Sequence, residues 1–272
     1  MNIQVKAVIF DWAGTIVDFG SLCPVVCFKE AFAEKGVELE GWEIHRFMGT
    51  HKLYHVQSIL ELPEVRAKWQ DACAREPHKG DRDSIFATIE RLLIERAGTF
   101  ATPVPHFAEA MAALKERGIR TGSSTGYTAP MMERIVPAAK EHGVSLDAWV
   151  SSDQVSRGRP SPWMIFRNME LLDVCPPHAV VKVGDTIIDM LEAHNAGVWS
   201  VGVVESSSLM GMDEAGLRKL PAEERNNRKA EVREQLRDAG AHFVINHLGE
   251  LDKVISVISS QPVHSTPHAR SA

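Results

Sequence analysis

The chain has 272 residues, 44% hydrophobic and 24% charged, which is enough apolar material for a packed core and excludes wholesale disorder. Its 30 basic and 36 acidic residues leave a formal net charge of −6, which argues against a general nucleic-acid binder. No run of 18 apolar residues is present to span a membrane, and the opening MNIQVKAVIFDW has no basic region, apolar stretch and cleavage site of a secretory signal. Four scattered cysteines (Cys23, Cys27, Cys73, Cys175) do not form a disulfide framework, so the expectation is a soluble protein of the reducing cytoplasm.

Residues 5–10 (VKAVIF) form a short apolar run that suits a strand buried on both faces of a parallel sheet. The stretch 21–99 then reads as helices at 24–35, 42–48, 53–60, 64–74 and 83–97, with no convincing strand. Beyond it, helical patterns at 107–117, 131–142, 163–172 and 187–195 alternate with strand-like runs at 118–125, 147–153, 179–185, 198–204 and 242–246. Such alternation implies right-handed βαβ units and a parallel sheet. The predicted fold is α/β: a Rossmann-like parallel sheet core over 1–20 and 100–260, with a helical cap inserted at 21–99. Residues 222–239 read as a charged, solvated helix. The tail 261–272, with two prolines and few apolar residues, is expected to be flexible.

In an open parallel sheet, ligands bind beyond the carboxyl ends of the strands. Four polar clusters fall there: Asp11-Trp12-Ala13-Gly14-Thr15, Ser123-Ser124-Thr125-Gly126, Gly158-Arg159-Pro160, and Gly184-Asp185-Thr186 with Asp189 one helical turn on. Three carboxylates, a hydroxyl and a guanidinium converging on one crevice suit phosphoryl transfer. A carboxylate can attack phosphorus, Mg²⁺ can bridge carboxylate and phosphate oxygens, and cationic and N–H donors can hold the rest. Each piece alone has a plainer reading, since an aspartate at a strand end often only caps a turn. Trp12, Met131, Met132 and Ile135 read as core, Cys23 and Cys27 as packing, and Trp163 as core or interface. Gly126 reads as a place where backbone approaches phosphate closely. His51 and His55, at i and i+4, have a zinc-like spacing but no third ligand nearby.

These clusters resemble the four motifs of the haloacid dehalogenase-like hydrolase superfamily. The resemblance implies that Asp11 is the nucleophile, that Thr125 supplies the second motif's hydroxyl and Arg159 the third motif's cation, and that Asp185 and Asp189 are the acidic metal motif. Phosphatases of the superfamily carry a second aspartate two residues after the nucleophile, as general acid for an alkoxide leaving group; here that residue is Ala13. A narrower resemblance accounts for the alanine. DWAGTIVDFG, FMGTHKLYHV, STGYT, GRPSPWM and KVGDTIIDM are similar to the phosphonoacetaldehyde hydrolase family. It implies a Schiff base on Lys52 flanked by Met48 and His55, and phosphate or substrate contacts from Thr125, Gly126, Arg159 and Tyr127. It also implies Mg²⁺ held at Asp11, Ala13, Asp185 and Asp189, and a homodimer. The family often has a cysteine where this chain has Ser21. Two further readings stay open from sequence: another enzyme of the superfamily, and a non-catalytic phosphate-binding protein on the same fold.

Overall fold

The computed structural model describes residues 2–262. Six parallel strands form one sheet: β1 (Ala7–Phe10), β2 (Arg120–Thr125), β3 (Val150–Ser151), β4 (Val180–Gly184), β5 (Trp199–Val203) and β6 (Phe243–Ile245). Their order is β3-β2-β1-β4-β5-β6. β1 therefore lies between β2 and β4, with Phe10 in register with Ser123 on one side and Val183 on the other. The carboxyl ends of β1, β2 and β4 lie side by side, about 4.8 Å from strand to strand.

Side chains alternate across β1 with period two, and both faces are covered. Ala7 and Ile9 pack with Ile165, Met169 and Ala193, from helices α8 (Trp163–Leu171) and α9 (Ile187–Ala196). Val8 and Phe10 face the larger core, with Met131 and Met132 of α7 (Ala129–Glu141) and Leu114 of α6 (Phe107–Glu116).

Between β1 and α6 the chain makes five α-helices: α1 (Leu22–Ala33), α2 (Gly41–His45), α3 (Lys52–Leu60), α4 (Pro63–Cys73) and α5 (Lys79–Arg96). Their Phe28, Phe32, Ile59, Trp69, Ile85 and Ile89 are fully buried, in a cluster continuous with the face of the sheet that carries Val8 and Phe10. This is the inserted helical cap on the α/β core. α2 is shorter than the expected 42–48. After His45 the chain tightens into bonds from Phe47 N to Ile44 O and from Met48 N to His45 O, so residues 46–51 form a loop that carries Met48 to the site.

Other expectations change in detail. The strand expected over 147–153 shrinks to Val150–Ser151; ahead of it the Asp147 carboxylate accepts from Thr121 N at 2.7 Å. Trp163 is 49% exposed and so is not core. The charged helix is α11 (Ala222–Asp238), preceded by the short α10 (Glu214–Lys219). α11 buries only Val232 and Leu236, as a solvated helix should. A final helix, α12 (Leu251–Ser259), was not expected, although its buried Leu251, Val254, Ile255 and Ile258 follow helical spacing. Of the tail, Gln261 and Pro262 pair with the first strand's approach: Ile3 N donates to Gln261 O at 2.9 Å, and Asn2 bridges Pro262. The rest of it, 263–272, lies outside the described residues. No helix is long and apolar enough to cross a membrane among the described residues, and all four cysteines are unpaired.

The passage from core to cap is held by Asp18. Its buried carboxylate accepts from Leu22 N and Cys23 N, both at 3.0 Å, and so satisfies the first amides of α1. Burial pushes this carboxyl up to about 7 against the pull of those two donors. Asp18→Ala would strand two N–H groups and cost about 1–2 kcal/mol, a fall of about 2–8 °C in the thermal midpoint. Asp18→Asn, which keeps an acceptor, is expected to lose less. Thermal unfolding of both variants checks the order.

Candidate active site

Asp11 follows β1 directly, its amide bonded to Val183 O of the neighbouring strand at 2.8 Å. The loop beyond it turns back on the Trp12 carbonyl, which accepts from Thr15 N, Ile16 N and Val17 N. Gly14 is required there: its φ is +82°, and a Cβ would sit 2.6 Å from Asp185 Oδ2.

Arg159 comes from the loop ahead of α8, and its buried guanidinium lies among three carboxylates. Nη2 donates to Asp11 Oδ1 at 2.7 Å, to Ser124 Oγ at 3.0 Å and to the Ser124 carbonyl. Nη1 lies 3.0 Å from Asp189 Oδ1 and Nε lies 3.1 Å from Glu192 Oε2. Burial alone would lower its pKa, but Asp11, Asp189 and Glu192 together raise it above the ordinary value, so the arginine stays charged.

Asp185 follows β4 and accepts from Thr15 Oγ1 at 3.1 Å and from Ser208 N at 2.8 Å. Asp189 closes a capping box at the start of α9: its Oδ2 accepts from Thr186 N and from Thr186 Oγ1, and Thr186 Oγ1 accepts from Asp189 N. Asp11, Asp185 and Asp189 each bring an oxygen within 4.8 Å of the others. Burial, then the negative charges of Asp11 and Asp189, push the Asp185 carboxyl well above its usual range. An all-oxygen cluster under that strain fits a hard divalent cation, which would relieve the repulsion.

Lys52 enters from the cap as the first residue of α3, with His51 as its N-cap through Nδ1, which accepts from Leu53 N. The lysine is 3% exposed. Its Nζ lies 5.3 Å from the Tyr127 ring centroid and 5.9 Å from that of Phe28. Burial lowers its pKa to about 8, with Asp11 pulling up and Arg159 pushing down. A helix N-terminus is also the wrong end of the macrodipole for an ammonium.

One cavity brings together Asp11, Ala13, Met48, Lys52, Thr125, Gly126, Tyr127 and Arg159. Ser21, Pro24, Gly49 and Thr186 complete its wall. Of these, Pro24 and Gly49 were not singled out from sequence as site residues, whereas Thr186 belongs to the Gly184-Asp185-Thr186 cluster read there. Gly126 has a more specific reason than closeness to phosphate: a Cβ there would lie 2.7 Å from Thr50 O and 3.1 Å from Gly49 O, the backbone of the cap loop. Thr125 Oγ1 faces inward and accepts from Tyr127 N at 3.2 Å.

His55 does not line the cavity. It is fully buried, its ring 4.3 Å from the Phe28 centroid, and its Nε2 donates to Ile44 O at 2.8 Å. Burial and the nearby Lys52 charge hold it well below the usual imidazole range, so it is neutral packing beneath the lysine. With His51 capping α3, the two rings are separately employed.

A family model described as haloacid dehalogenase-like hydrolase matches residues 5–197. The chain is 42% identical over 255 residues to a protein of Syntrophobacter fumaroxidans named phosphonoacetaldehyde hydrolase, covering 94% of this chain and 92% of that one. It is likewise 42% identical over 259 residues to a protein of that name from Parabacteroides distasonis, covering 95% and 98%. Among solved structures, a phosphonoacetaldehyde hydrolase-like protein from Oleispira antarctica superposes with a TM-score of 0.91 at 32% identity, over 94% of this chain and 93% of that one.

The electrostatics of Lys52 can be tested without knowing the substrate. At pH 7 a pKa of about 8 leaves about a tenth of the amine neutral, against roughly one part in 3000 for an ordinary lysine. Lys52 is expected to titrate with a midpoint near 8, followed by NMR of selectively labelled lysine. A midpoint above 10 would remove its activation.

Proposed function

This chain belongs to the haloacid dehalogenase-like hydrolase family, and we propose that it cleaves the P–C bond of phosphonoacetaldehyde to acetaldehyde and phosphate. The observation that carries this reading is a buried lysine, held partly neutral, in the same cavity as Asp11 and Arg159.

A carbanion is a very poor leaving group, so displacement at phosphorus needs an electron sink on carbon. The neutral Lys52 amine adds to the aldehyde carbon, and loss of water gives an iminium. Asp11 Oδ then attacks phosphorus. As the O–P bond forms, the P–C pair moves into the iminium and leaves an enamine on Lys52. Water hydrolyses the aspartyl phosphate and frees Asp11 and phosphate. The enamine takes a proton on carbon, and a second water releases acetaldehyde and the amine. No alkoxide is expelled, which is why Ala13 can stand where an ester phosphatase needs an acid.

Arg159 orients Asp11 and offers positive charge to the phosphoryl oxygens, and Thr125 and the amides beside Gly126 line the same wall. Met48 and Tyr127 bound the aldehyde side and exclude water from the imine. The acidic cluster would hold Mg²⁺ through Asp11, Asp185 and Asp189, with Ala13 able to give only its carbonyl oxygen. Mg²⁺ there would supply positive charge against the phosphoryl oxygens. The reading includes a cytoplasmic homodimer. Val26 and Tyr54, exposed on α1 and α3, are apolar surface that a partner copy would cover; sedimentation decides it.

Phosphonoacetaldehyde with Mg²⁺ should yield acetaldehyde and phosphate in equal amounts, while p-nitrophenyl phosphate is cleaved far more slowly. Ester cleavage without phosphonate cleavage would make the protein a phosphatase. Lys52→Arg keeps the charge but cannot form an imine. It should lose at least about 10³-fold in turnover, roughly 4 kcal/mol of barrier. Asp11→Asn, which cannot accept the phosphoryl group, should lose as much. Borohydride added with acetaldehyde should leave one ethyl group on Lys52, located by peptide mapping.

A further inference from the structure

Behind Arg159, on residues that do not border the cavity, lies a second layer of charge. Lys182 sits in the middle of β4 and Glu192 on the inner face of α9, and both are fully buried. Lys182 Nζ donates to Ser124 Oγ at 2.9 Å and lies 3.0 Å from Asp189 Oδ1 and 3.5 Å from Glu192 Oε2. Ser124 Oγ donates to Glu192 Oε2 at 2.9 Å, and the same Glu192 oxygen lies 3.1 Å from Arg159 Nε.

A buried ion pair is weak evidence for stability, since an apolar pair of similar volume often serves the fold as well. Its placement here is more telling. Arg159 must present one edge of a flat guanidinium to Asp11. Its Nε lies against Glu192, and Glu192 is in turn contacted by Lys182 and by Ser124, which also meets Arg159 Nη2. Lys182 also balances the carboxylates: Asp11, Asp185, Asp189 and Glu192 share this dry space with two buried cations, Arg159 and Lys182.

We propose that Lys182 and Glu192 are positioning residues for phosphoryl transfer, a buried brace that fixes the Arg159 guanidinium against Asp11. The inference rests on the reading of Asp11 as phosphoryl acceptor. The brace serves only that half-reaction, because imine formation takes place on Lys52, which contacts neither residue.

The test uses the full chain with the double variant Lys182→Met/Glu192→Gln, which removes both buried charges together, and with Glu192→Gln alone, which is nearly isosteric. Three readouts are taken beside the melting point: turnover of phosphonoacetaldehyde, affinity for vanadate with Mg²⁺, and borohydride trapping of acetaldehyde on Lys52. The double variant should melt within about 5 °C of wild type, trap Lys52 to the wild-type extent, lose at least about 30-fold in kcat and bind vanadate at least about tenfold more weakly. Glu192→Gln should show the same split, less steeply. Turnover and vanadate affinity within threefold of wild type in the double variant would overturn the brace. So would parallel loss of trapping, turnover and folded protein in both variants, which reduces the pair to a structural role. If wild type itself traps no adduct, the Lys52 reading fails separately, and the vanadate measurement still decides the brace.

Discussion

Everything in this site follows from taking like charges out of water together. Asp11, Asp185, Asp189 and Glu192 are buried together around β1 and β4 and the start of α9, and so are Arg159 and Lys182. Isolated, any of these charges would be too costly to bury. The parallel sheet makes the arrangement possible because β1 stands between β2 and β4, so residues distant in sequence end at one level. The guanidinium then lies within 3.1 Å of Asp11, Asp189 and Glu192, and the Asp185 carboxyl is pushed well above its usual range by burial and its acidic neighbours. A centre so organised is prepared for added positive charge and for a phosphoryl group, and costs little reorganisation when they arrive.

The cap solves the opposite problem. Its lysine must lose charge, and the means are apolar burial, two aromatic rings and the first turn of a helix. The two halves meet along backbone: the carbonyls of Gly49 and Thr50 lie against Gly126 so closely that no side chain fits between. That contact places the Lys52 amine over the wall that carries Asp11 and Thr125. Close packing at one glycine thus brings a lysine of the inserted helices into the cavity that Asp11 lines.

Much of this was legible in the sequence. Polar clusters after apolar runs marked Asp11, Thr125 and Asp185, because the sheet's own periodicity announces where strands end. Lys52 carried no such mark; a lysine opening an amphipathic helix reads as solvated surface, and only resemblance singled it out. His55 was misplaced by the same route, since adjacency in sequence to Lys52 says nothing about which face of α3 meets Phe28. Lys182 and Glu192 went unread for a different reason. A charged residue inside the run VVKVG, buried on both faces, already demands a partner, but the partner lies on α9 and the demand alone does not name it. α12 had the full helical spacing in its sequence and was simply not assigned.

Ala13 joins these strands of the argument. Removing a carboxyl two residues after the nucleophile takes one more negative charge out of a crowded, dry site, and also removes the proton source that an ester would need. A centre without that acid is poor at expelling alkoxides, so it gains chemistry only if the leaving group is altered before phosphorus is attacked. In the proposed reaction that alteration falls to Lys52, whose pKa burial lowers to about 8. The alanine in the core and the depressed lysine among the inserted helices therefore share one cavity, and under the proposed reaction each serves a leaving group on carbon and not on oxygen.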